Sequence, residues 1–336
     1  MKAVRTDSEL ECPRIDEGLR DRGLDLVTLP EGVSEEKLIE EVKSAHLLLM
    51  CYTPITARAI DAASTLRGIV KYGVGIDAID IEAARRREIP VVNIPEYAEE
   101  TVAEGAFALM ISLARKLGAL HLEMQRNRWA WPTARWMGND LAGKTLGLIG
   151  VGKIGRSMAR MAGAGFRMRV LGFDPYVDRQ TMRQCGVEKC DQLSELLSVA
   201  DFVSLHTVLN PETRHMIGAP EFRRMKPSAM LINVSRGALV DEAALLDALV
   251  SKQIAGAGLD VFSQEPLCAP NHPLKPLFEM PNVIMTPHLT FYTEEAMARL
   301  EEETLQRCDE ILRGDPVLIK SHDPRLRKQT SKVVFV

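Results

Sequence analysis

The chain has 336 residues, 46% of them hydrophobic and 26% charged, with a formal net charge of −4. These values are typical of a globular protein large enough for two domains. The acidic balance argues against a nucleic-acid partner, because a phosphate-binding surface would need a basic excess. The sequence lacks both an uninterrupted apolar stretch of membrane-spanning length and a signal-peptide core, so we expect a cytoplasmic protein with no membrane partner.

The six cysteines are scattered through the chain, and we expect them to be reduced in the cytoplasm. Cys185 and Cys190 are the nearest pair, but the sequence around them offers no further cysteine or histidine at the spacing of a zinc site. We therefore predict no metal.

Residues 1 to about 98 alternate between short apolar runs and amphipathic segments, which predicts a parallel sheet covered on both faces. The expected strands are 2–6, 25–29, 47–50, 68–71 and 91–93, with helices beginning near Pro13, Ser34, Thr56 and Asp80. We assign residues 1–100 and 290–336 to a discontinuous, flavodoxin-like substrate domain. Its glycine-rich segment 72–77 (YGVGID) follows the fourth strand. The backbone at Val74 and Gly75 could hold a carboxylate there, or the segment could be a flexible turn; residues later in the chain favour the substrate loop.

Residues 101–120 predict one long helix that links two domains. All three tryptophans follow within residues 129–136, among Arg, Pro and Gly rather than in a periodic pattern. Tryptophan and arginine are enriched at interface centres, so we interpret residues 121–140 as the arm of a homodimer. A cap on the protein's own cleft is the alternative.

A dinucleotide-binding motif opens the second α/β domain, which we assign to residues 101–289. An apolar run stops at Gly150, and Gly152 and Gly155 complete the pattern G-x-G-x-x-G ahead of a helical segment. In a Rossmann unit these glycines permit a tight turn, a close approach of the pyrophosphate and close packing of helix on strand. The first amides of the helix would then face an anion.

Asp174 ends the next apolar run, where a carboxylate can bind the adenosine ribose and repel a 2′-phosphate. NAD is therefore the predicted cofactor, although Arg179 could weaken the preference over NADP. Flavin enzymes and methyltransferases also carry such a glycine motif, but the strand, helix and terminal acid together favour NAD.

Six strands are expected in this domain, followed by a helix and an irregular, solvated basic tail. The strands are 146–149, 169–173, 202–205, 230–233, 257–261 and 283–286, and the helix is 293–312. A helix of that length can return to the first domain.

Three charged residues follow the later strands, and parallel strands bring their carboxyl ends to one edge. Arg236 can bind a substrate carboxylate and polarise the adjacent carbonyl. His288 can exchange a proton with the substrate oxygen, and Glu265 can hold the other ring nitrogen. Together they predict hydride transfer on a 2-hydroxy or 2-oxo acid. His206 is the rival acid–base residue, but its position beside the cofactor path favours a structural role.

With these motifs the sequence resembles the D-isomer-specific 2-hydroxyacid dehydrogenases. The resemblance covers about residues 45–315 and is carried by segments 146–155, 205–213, 225–241, 258–266 and 286–288. It implies an oxidoreductase that dimerises through its nucleotide domain, with Arg236, Glu265 and His288 as catalytic residues and Val74 and Gly75 as the substrate-carboxylate loop. It further implies cofactor contacts from Lys153, Ile154, Asp174, Thr207, Val234, Arg236, Asp260 and His288.

Several departures from the family pattern bear on the substrate. Val208 replaces a common proline, and the aromatic Phe291 just after His288 resembles the branch of the C-terminal-binding proteins. Segment 51–53 lacks the arginine that often reaches phosphate in phosphoglycerate dehydrogenases, and we expect no regulatory domain after residue 315. Tyr52 and Phe291 should shape the pocket. The alternatives to a dehydrogenase of unphosphorylated acids are an NAD-sensing corepressor and a phosphoglycerate dehydrogenase.

Overall fold

The computed structural model describes residues 1–268 and 272–336. The chain forms two compact units, one of Met1–Ala98 with Thr293–Val336 and one of Glu99–Tyr292. The sequence prediction had placed the boundaries at residues 100 and 290. Each unit contains an α/β parallel sheet, which confirms the predicted fold class.

The sheet of the first unit has the strand order β2-β1-β3-β4-β5, which is the flavodoxin-like order. Its strands are β1 (Lys2–Arg5), β2 (Asp25–Thr28), β3 (Leu47–Met50), β4 (Gly68–Lys71) and β5 (Val91–Asn93). The helices of this unit are Pro13–Asp21, Glu35–Val42, Ala57–Ala62, Ile81–Arg86 and Glu294–Arg313. All residues of β3 and β4 are buried, as expected for central strands covered on both faces.

Side-chain caps begin four of these helices. Ser34, Thr56, Asp80 and Thr293 each accept a hydrogen bond from the backbone N–H three residues further on. Such a cap satisfies an amide that has no partner inside the helix. The sequence positions from which these helices were predicted are therefore the positions of the caps.

The sheet of the second unit has seven parallel strands in the order β12-β11-β10-β9-β6-β7-β8. They are β6 (Thr145–Ile149), β7 (Arg169–Phe173), β8 (Glu188–Lys189), β9 (Phe202–Leu205), β10 (Met230–Asn233), β11 (Gly256–Leu259) and β12 (Val283–Met285). From β8 to β11 this is the Rossmann order, with β12 added beside β11. The helices are Glu99–Ala114, Leu117–Asn127, Lys153–Arg160, Arg179–Gln184, Leu193–Val199, Ala219–Phe222 and Glu242–Val250.

Two apolar cores lie on the two faces of this sheet, because strand residues alternate between them. Leu146 and Leu148 of β6 belong to one core, and Ile149 belongs to the other. Leu231 and Ile232 of β10 divide in the same way. Helices on both faces therefore cover the sheet and leave its carboxyl edge for the loops.

The prediction of a single helix over 101–120 is wrong. The chain forms two helices there, Glu99–Ala114 and Leu117–Asn127, and the angle between them is 59°. Lys116 between them has φ +54°, which an α-helix cannot contain. In the described part of the chain, no single helix is long and apolar enough to cross a membrane, and these two pass a test of length and composition only when taken together.

The prediction of an irregular tail after the last helix is also wrong. β13 (Val317–Ile319) pairs in parallel with β14 (Val333–Phe335), and a short helix, Pro324–Arg327, lies between them. Gln329 is buried and forms two hydrogen bonds with Val91 of β5, accepting from its N–H at 2.7 Å and donating to its carbonyl at 2.9 Å. This segment is therefore an integral part of the first unit.

Replacing Gln329 with Ala should lower the free energy of unfolding by about 1–3 kcal/mol, because it leaves the buried N–H and C=O of Val91 without partners. Urea denaturation measures the change. Gln306→Ala, at an exposed position of the last helix, is the control and should stay within about 0.5 kcal/mol of the wild type. An equally small effect at Gln329 would mean that the C-terminal segment is not anchored.

Candidate active site

The glycine turn after β6 is crowded on its inner side and open on its outer side. Gly150 has φ +93°, and a Cβ there would lie 2.4 Å from the carbonyl oxygen of His206. A Cβ at Gly155 would lie 2.3 Å from the carbonyl oxygen of Gly150. A Cβ at Gly152 would meet no heavy atom within 4 Å in the described chain. The turn therefore leaves room for a phosphate at the start of helix Lys153–Arg160.

Asp174 is fixed beside this turn. One carboxylate oxygen accepts a hydrogen bond from the N–H of Val151 at 2.9 Å, and the other accepts from the N–H of Tyr176 at 2.9 Å. A carboxylate has about four acceptor positions, so two remain for ribose hydroxyls. Arg179 donates to Asp191 at 2.7 Å, so its guanidinium is engaged by another carboxylate.

Other predicted cofactor residues lie after the carboxyl ends of β6, β9 and β10. The backbone nitrogen of Thr207 lies against the turn, 2.9 Å from the position of a Cβ at Gly150. Val234 is buried directly after β10, and Ile154 packs partly buried in the first turn of its helix. The ammonium of Lys153 forms an ion pair with Glu99 at 3.0 Å.

His206 lies beneath the glycine turn, where its Nε2 is 2.9 Å from the hydroxyl of Ser204. Its Nδ1 is buried and has no hydrogen-bond partner among the residues described. Burial lowers the pKa of His206 to about 4, because a charged imidazolium loses its hydration there. The ring is therefore neutral at physiological pH, which suits a structural histidine better than a proton donor.

The loop after β10 positions Arg236. The Asn233 side chain donates to the carbonyl of Arg236 at 2.9 Å and accepts from the N–H of Ser235 at 3.1 Å. The guanidinium of Arg236 donates to the Ser235 carbonyl at 2.7 Å. Gly237 is packed so closely that a Cβ would lie 1.9 Å from the backbone of Phe262. The arginine loop thus lies against the segment that carries Glu265.

Glu265 and His288 form a hydrogen-bonded pair, with Nδ1 of the ring 2.9 Å from Oε2 of the carboxylate. The second carboxylate oxygen accepts from the N–H of Phe262 at 2.8 Å. Burial by itself would raise the pKa of Glu265, but the hydrogen bond and charge of His288, the Phe262 amide and the charge of Arg236 outweigh it and hold the pKa below its usual value. Glu265 is therefore ionised.

Asp260 holds the loop that carries His288. Its fully buried carboxylate accepts hydrogen bonds from the hydroxyl of Thr286 at 2.5 Å, from the N–H of Leu289 at 2.9 Å, and from the N–H and hydroxyl of Thr290 at 3.0 and 2.6 Å. His288 has φ +58°, a conformation that side chains other than glycine rarely adopt. The bonds on both sides of the histidine hold it in that conformation.

Aromatic rings follow the histidine in the second unit. The ring of Phe291 meets the ring of His288 edge-on at 6.4 Å between centroids, and Tyr292 meets Phe291 at 5.9 Å. Phe291 is mostly buried. The imidazole therefore has an apolar neighbour on the same loop.

The predicted substrate residues Tyr52, Val74 and Gly75 belong to the first unit. The side-chain amide of Asn93 donates to the carbonyl of Val74 at 2.6 Å, which fixes the loop 73–75. Tyr52 follows β3 and its ring lies 5.3 Å from the ammonium of Lys71.

A comparison with family models identifies the family to which this site and fold belong. The model described as "D-isomer specific 2-hydroxyacid dehydrogenase, NAD binding domain" matches residues 107–290. The chain belongs to the D-isomer-specific 2-hydroxyacid dehydrogenase family. Its members are NAD-dependent oxidoreductases, and the second unit of this chain is an NAD-binding domain.

Relatives with different names match most of this chain. A glyoxylate reductase of Korarchaeum cryptofilum is 40% identical over 299 residues, which cover 88% of each chain. A D-3-phosphoglycerate dehydrogenase of Methanocaldococcus jannaschii is 39% identical over 290 residues, which cover 86% of this chain. Those residues are 54% of that relative, so the chain spans about half the length of the phosphoglycerate dehydrogenase.

Solved structures show the same architecture. The structure of D-lactate dehydrogenase from Aquifex aeolicus complexed with NAD and lactic acid has a TM-score of 0.82 and is 31% identical. The match covers 93% of this chain and 96% of that one. The family assignment made from the sequence is therefore confirmed.

Sequence reasoning missed two features of the site. Asp260 was predicted as a cofactor contact, and its bonds to the loop 286–290 could not be inferred from its position after a strand. Gly237 had a visible signal, because a glycine directly after the predicted catalytic arginine indicates a close backbone approach. The cofactor and catalytic roles of the individual residues remain predictions.

The low pKa of His206 predicts a specific loss of stability in acid. The unfolded chain takes up a proton near pH 6.5, whereas the folded chain does so near pH 4, so the stability of the folded state falls between these values. Relative to His206→Gln, the wild type should lose up to about 1.4 kcal/mol per pH unit in this window. Urea unfolding from pH 7.5 to 4 tests this, and parallel curves for the two proteins would contradict it.

Proposed function

We propose that this chain interconverts a small 2-oxo acid and the corresponding D-2-hydroxy acid with NAD as cofactor. The observation that carries the proposal is the Glu265–His288 pair on the carboxyl edge of an NAD-binding sheet, next to the loop of Arg236. In the reductive direction, bound NADH would supply the hydride to C2, and the protein would supply a proton to the oxygen.

Arg236 would bind the substrate carboxylate and the carbonyl oxygen. A guanidinium presents several N–H groups in one plane, which matches two oxygens of a 2-oxo acid. As hydride arrives, negative charge develops on the carbonyl oxygen, and the fixed positive charge stabilises it. The bonds from Asn233 to the arginine loop hold that charge in place before the substrate arrives.

His288 would donate the proton. Its Nδ1 is bonded to the ionised Glu265, so the proton exchange with the substrate falls to Nε2. The carboxylate orients the ring and leaves Nε2 to face the substrate. In the oxidative direction the same nitrogen accepts the hydroxyl proton. The retained pair supports catalysis over a corepressor-like binding role.

An unphosphorylated substrate is favoured by the loop after β3. The three backbone amides of Cys51, Tyr52 and Thr53 donate to the chain's own Asp7 carboxylate at 2.7–3.0 Å. These donors could otherwise bind a phosphate, but a buried carboxylate already satisfies them. We therefore place the substrate with the glyoxylate- and hydroxypyruvate-type acids rather than the phosphorylated ones.

We also propose that the chain forms a homodimer through residues 121–140. Trp129 is 59% exposed, and Trp131 and Met137 are each 73% exposed, so this arm presents a large apolar surface. Such exposed surface is typical of partner interfaces. The cytoplasmic location stays a prediction from the sequence.

His288→Ala should lower kcat by about 10²–10⁴ for every accepted substrate, because proton transfer is lost, while NADH binding is retained. NADH oxidation with glyoxylate, hydroxypyruvate and phosphohydroxypyruvate measures this, with fluorescence titration of NADH alongside. His322→Ala, at an exposed histidine of the first unit, is the control. Near-normal turnover by the His288 variant would remove that residue from its role, and a wild type inactive on all three acids would count against the proposed function.

Asp174→Ala should relax the preference for NAD. The variant loses the acceptors for the ribose hydroxyls and the repulsion of a 2′-phosphate, so the ratio of kcat/KM for NADH over NADPH should fall about tenfold or more. Initial-rate kinetics with both cofactors measure the ratio. Undiminished discrimination against NADPH would show that Asp174 does not contact the ribose.

A further inference from the structure

A buried lysine lies beneath the predicted substrate loop. Lys71 is the last residue of β4 and is 5% exposed. Its ammonium donates to the carbonyl of Cys51, lies 3.1 Å from the Cys51 sulfur and 5.3 Å from the Tyr52 ring centroid. In the described ranges 1–268 and 272–336, none of its contacts is an ion pair. All three neighbours are neutral groups.

The contrast with Arg5, another buried cation of the first unit, is informative. Arg5 is 2% exposed, and Asp16 accepts two hydrogen bonds from its guanidinium at 2.6 and 2.9 Å. A buried charge is costly unless an opposite charge compensates for it. Arg5 follows that rule within the chain, whereas Lys71 has no such partner in the described structure.

The Cys51 thiol does not supply the missing negative charge. Burial raises the pKa of the thiol, although the neighbouring Lys71 charge acts in the opposite direction. The sulfur therefore stays protonated at physiological pH and accepts the lysine only as a weak neutral acceptor. The buried carboxylate of Asp7 accepts from the amides of Cys51, Tyr52 and Thr53 and from the Thr53 hydroxyl rather than from Lys71. The ammonium at the end of β4 therefore has no direct ion pair in the described ranges and can attract an anion from outside the unit.

The ammonium lies directly against the loop 73–75. Gly73 has φ +144°, and a Cβ there would lie 3.1 Å from the lysine nitrogen. The loop continues through Val74, which is 46% exposed, and Gly75. A charge buried under such a loop is screened less by water than a surface lysine, so its field extends to ligands that bind on the loop.

We propose that Lys71 is a specificity-determining residue that attracts the carboxylate of the substrate to the loop 73–75 without touching it. This inference rests on the proposed function. A pocket without charge would bind a 2-oxo acid and its ester equally well, whereas the buried ammonium favours the anionic acid. Ligands with two negative charges gain more than ligands with one, because the Coulomb energy scales with the charge.

The test compares Lys71→Met, which removes the charge and keeps the shape, with Lys71→Arg, which keeps the charge. Calorimetric titration in the presence of NADH measures the affinity for oxamate, with one negative charge, and for oxalate, with two. We expect Lys71→Met to weaken oxamate about tenfold and oxalate about a hundredfold, with NADH affinity unchanged. Lys71→Arg should stay close to the wild type. If Lys71→Met does not fold, Lys71→Gln provides the same loss of charge with a donor retained.

Lys2→Met is the matched control, since it removes a lysine of the same unit from the amino end of β1, where Lys2 pairs with Glu41 at 2.8 Å. It should leave both anion affinities unchanged. Equal loss of oxamate, oxalate and NADH affinity in Lys71→Met would indicate a structural role and overturn the proposal. Unchanged anion affinities, or a wild type that binds neither anion, would overturn it as well.

A kinetic measurement separates this proposal from the proposed function. With an accepted 2-oxo acid, Lys71→Met should raise KM about tenfold with little change in kcat, while KM for the uncharged ester of the same acid stays near the wild-type value. Equal increases in KM for acid and ester would contradict the role of Lys71. If the wild type turns over no 2-oxo acid, the proposed function fails, and the titrations with oxamate and oxalate still decide the role of Lys71.

Discussion

The candidate site depends on the hydrogen bonds that Asp260 forms with the loop after β12. This carboxylate is buried directly after β11 and accepts from two backbone amides and two hydroxyls on the neighbouring loop. The histidine in that loop has a left-handed backbone conformation that costs free energy, so neighbouring contacts must hold it there. The orientation of the His288 ring toward Glu265 follows from this fixed backbone.

Two other carboxylates in the molecule also follow one strand and accept hydrogen bonds from the loop after the neighbouring strand. Asp7, just after β1, accepts from the amides that follow β3, which is the neighbouring strand. Asp174, directly after β7, accepts from the N–H of Val151 after the neighbouring β6. At the carboxyl edge of a parallel sheet the ladder stops and the next amides lack partners, so a carboxylate at one strand end can satisfy the loop of the next. Both units use this geometry to hold irregular segments.

Much of this fold was predictable because central parallel strands are continuous apolar runs. The bounds of β3, β4 and β9 were predicted correctly since all their residues are buried. β8 was missed because it consists of two polar-side-chain residues, Glu188 and Lys189, with no pattern to detect. The β13–β14 pair was missed because each strand has three residues, and their pairing depends on tertiary contacts such as those of Gln329.

The candidate site was predictable in its residue order and less so in its supporting contacts. The pairing of Glu265 with His288 followed from placing both after strands of one sheet, because the topology brings those ends to one edge. The break at Lys116 and the anchoring by Asp260 depend on backbone angles and individual hydrogen bonds, which one sequence does not specify. Lys71 gave no signal, since a lysine that ends an apolar strand is ordinarily solvated.

Carboxylates that hold the loops also place negative charge where this chain is proposed to bind anions. Asp7, Asp174, Asp260 and Glu265 place negative charge near the sheet edges where a dinucleotide and an acid substrate are proposed to bind. Hydrogen bonds from amides spread that charge, and cations near the same edges offset the remaining repulsion. Arg236 in the second unit and Lys71 in the first are placed to do this, each at the end of a strand or in the loop that follows it. A sheet edge that carries carboxylates can therefore select an anionic ligand provided that it retains such a cation.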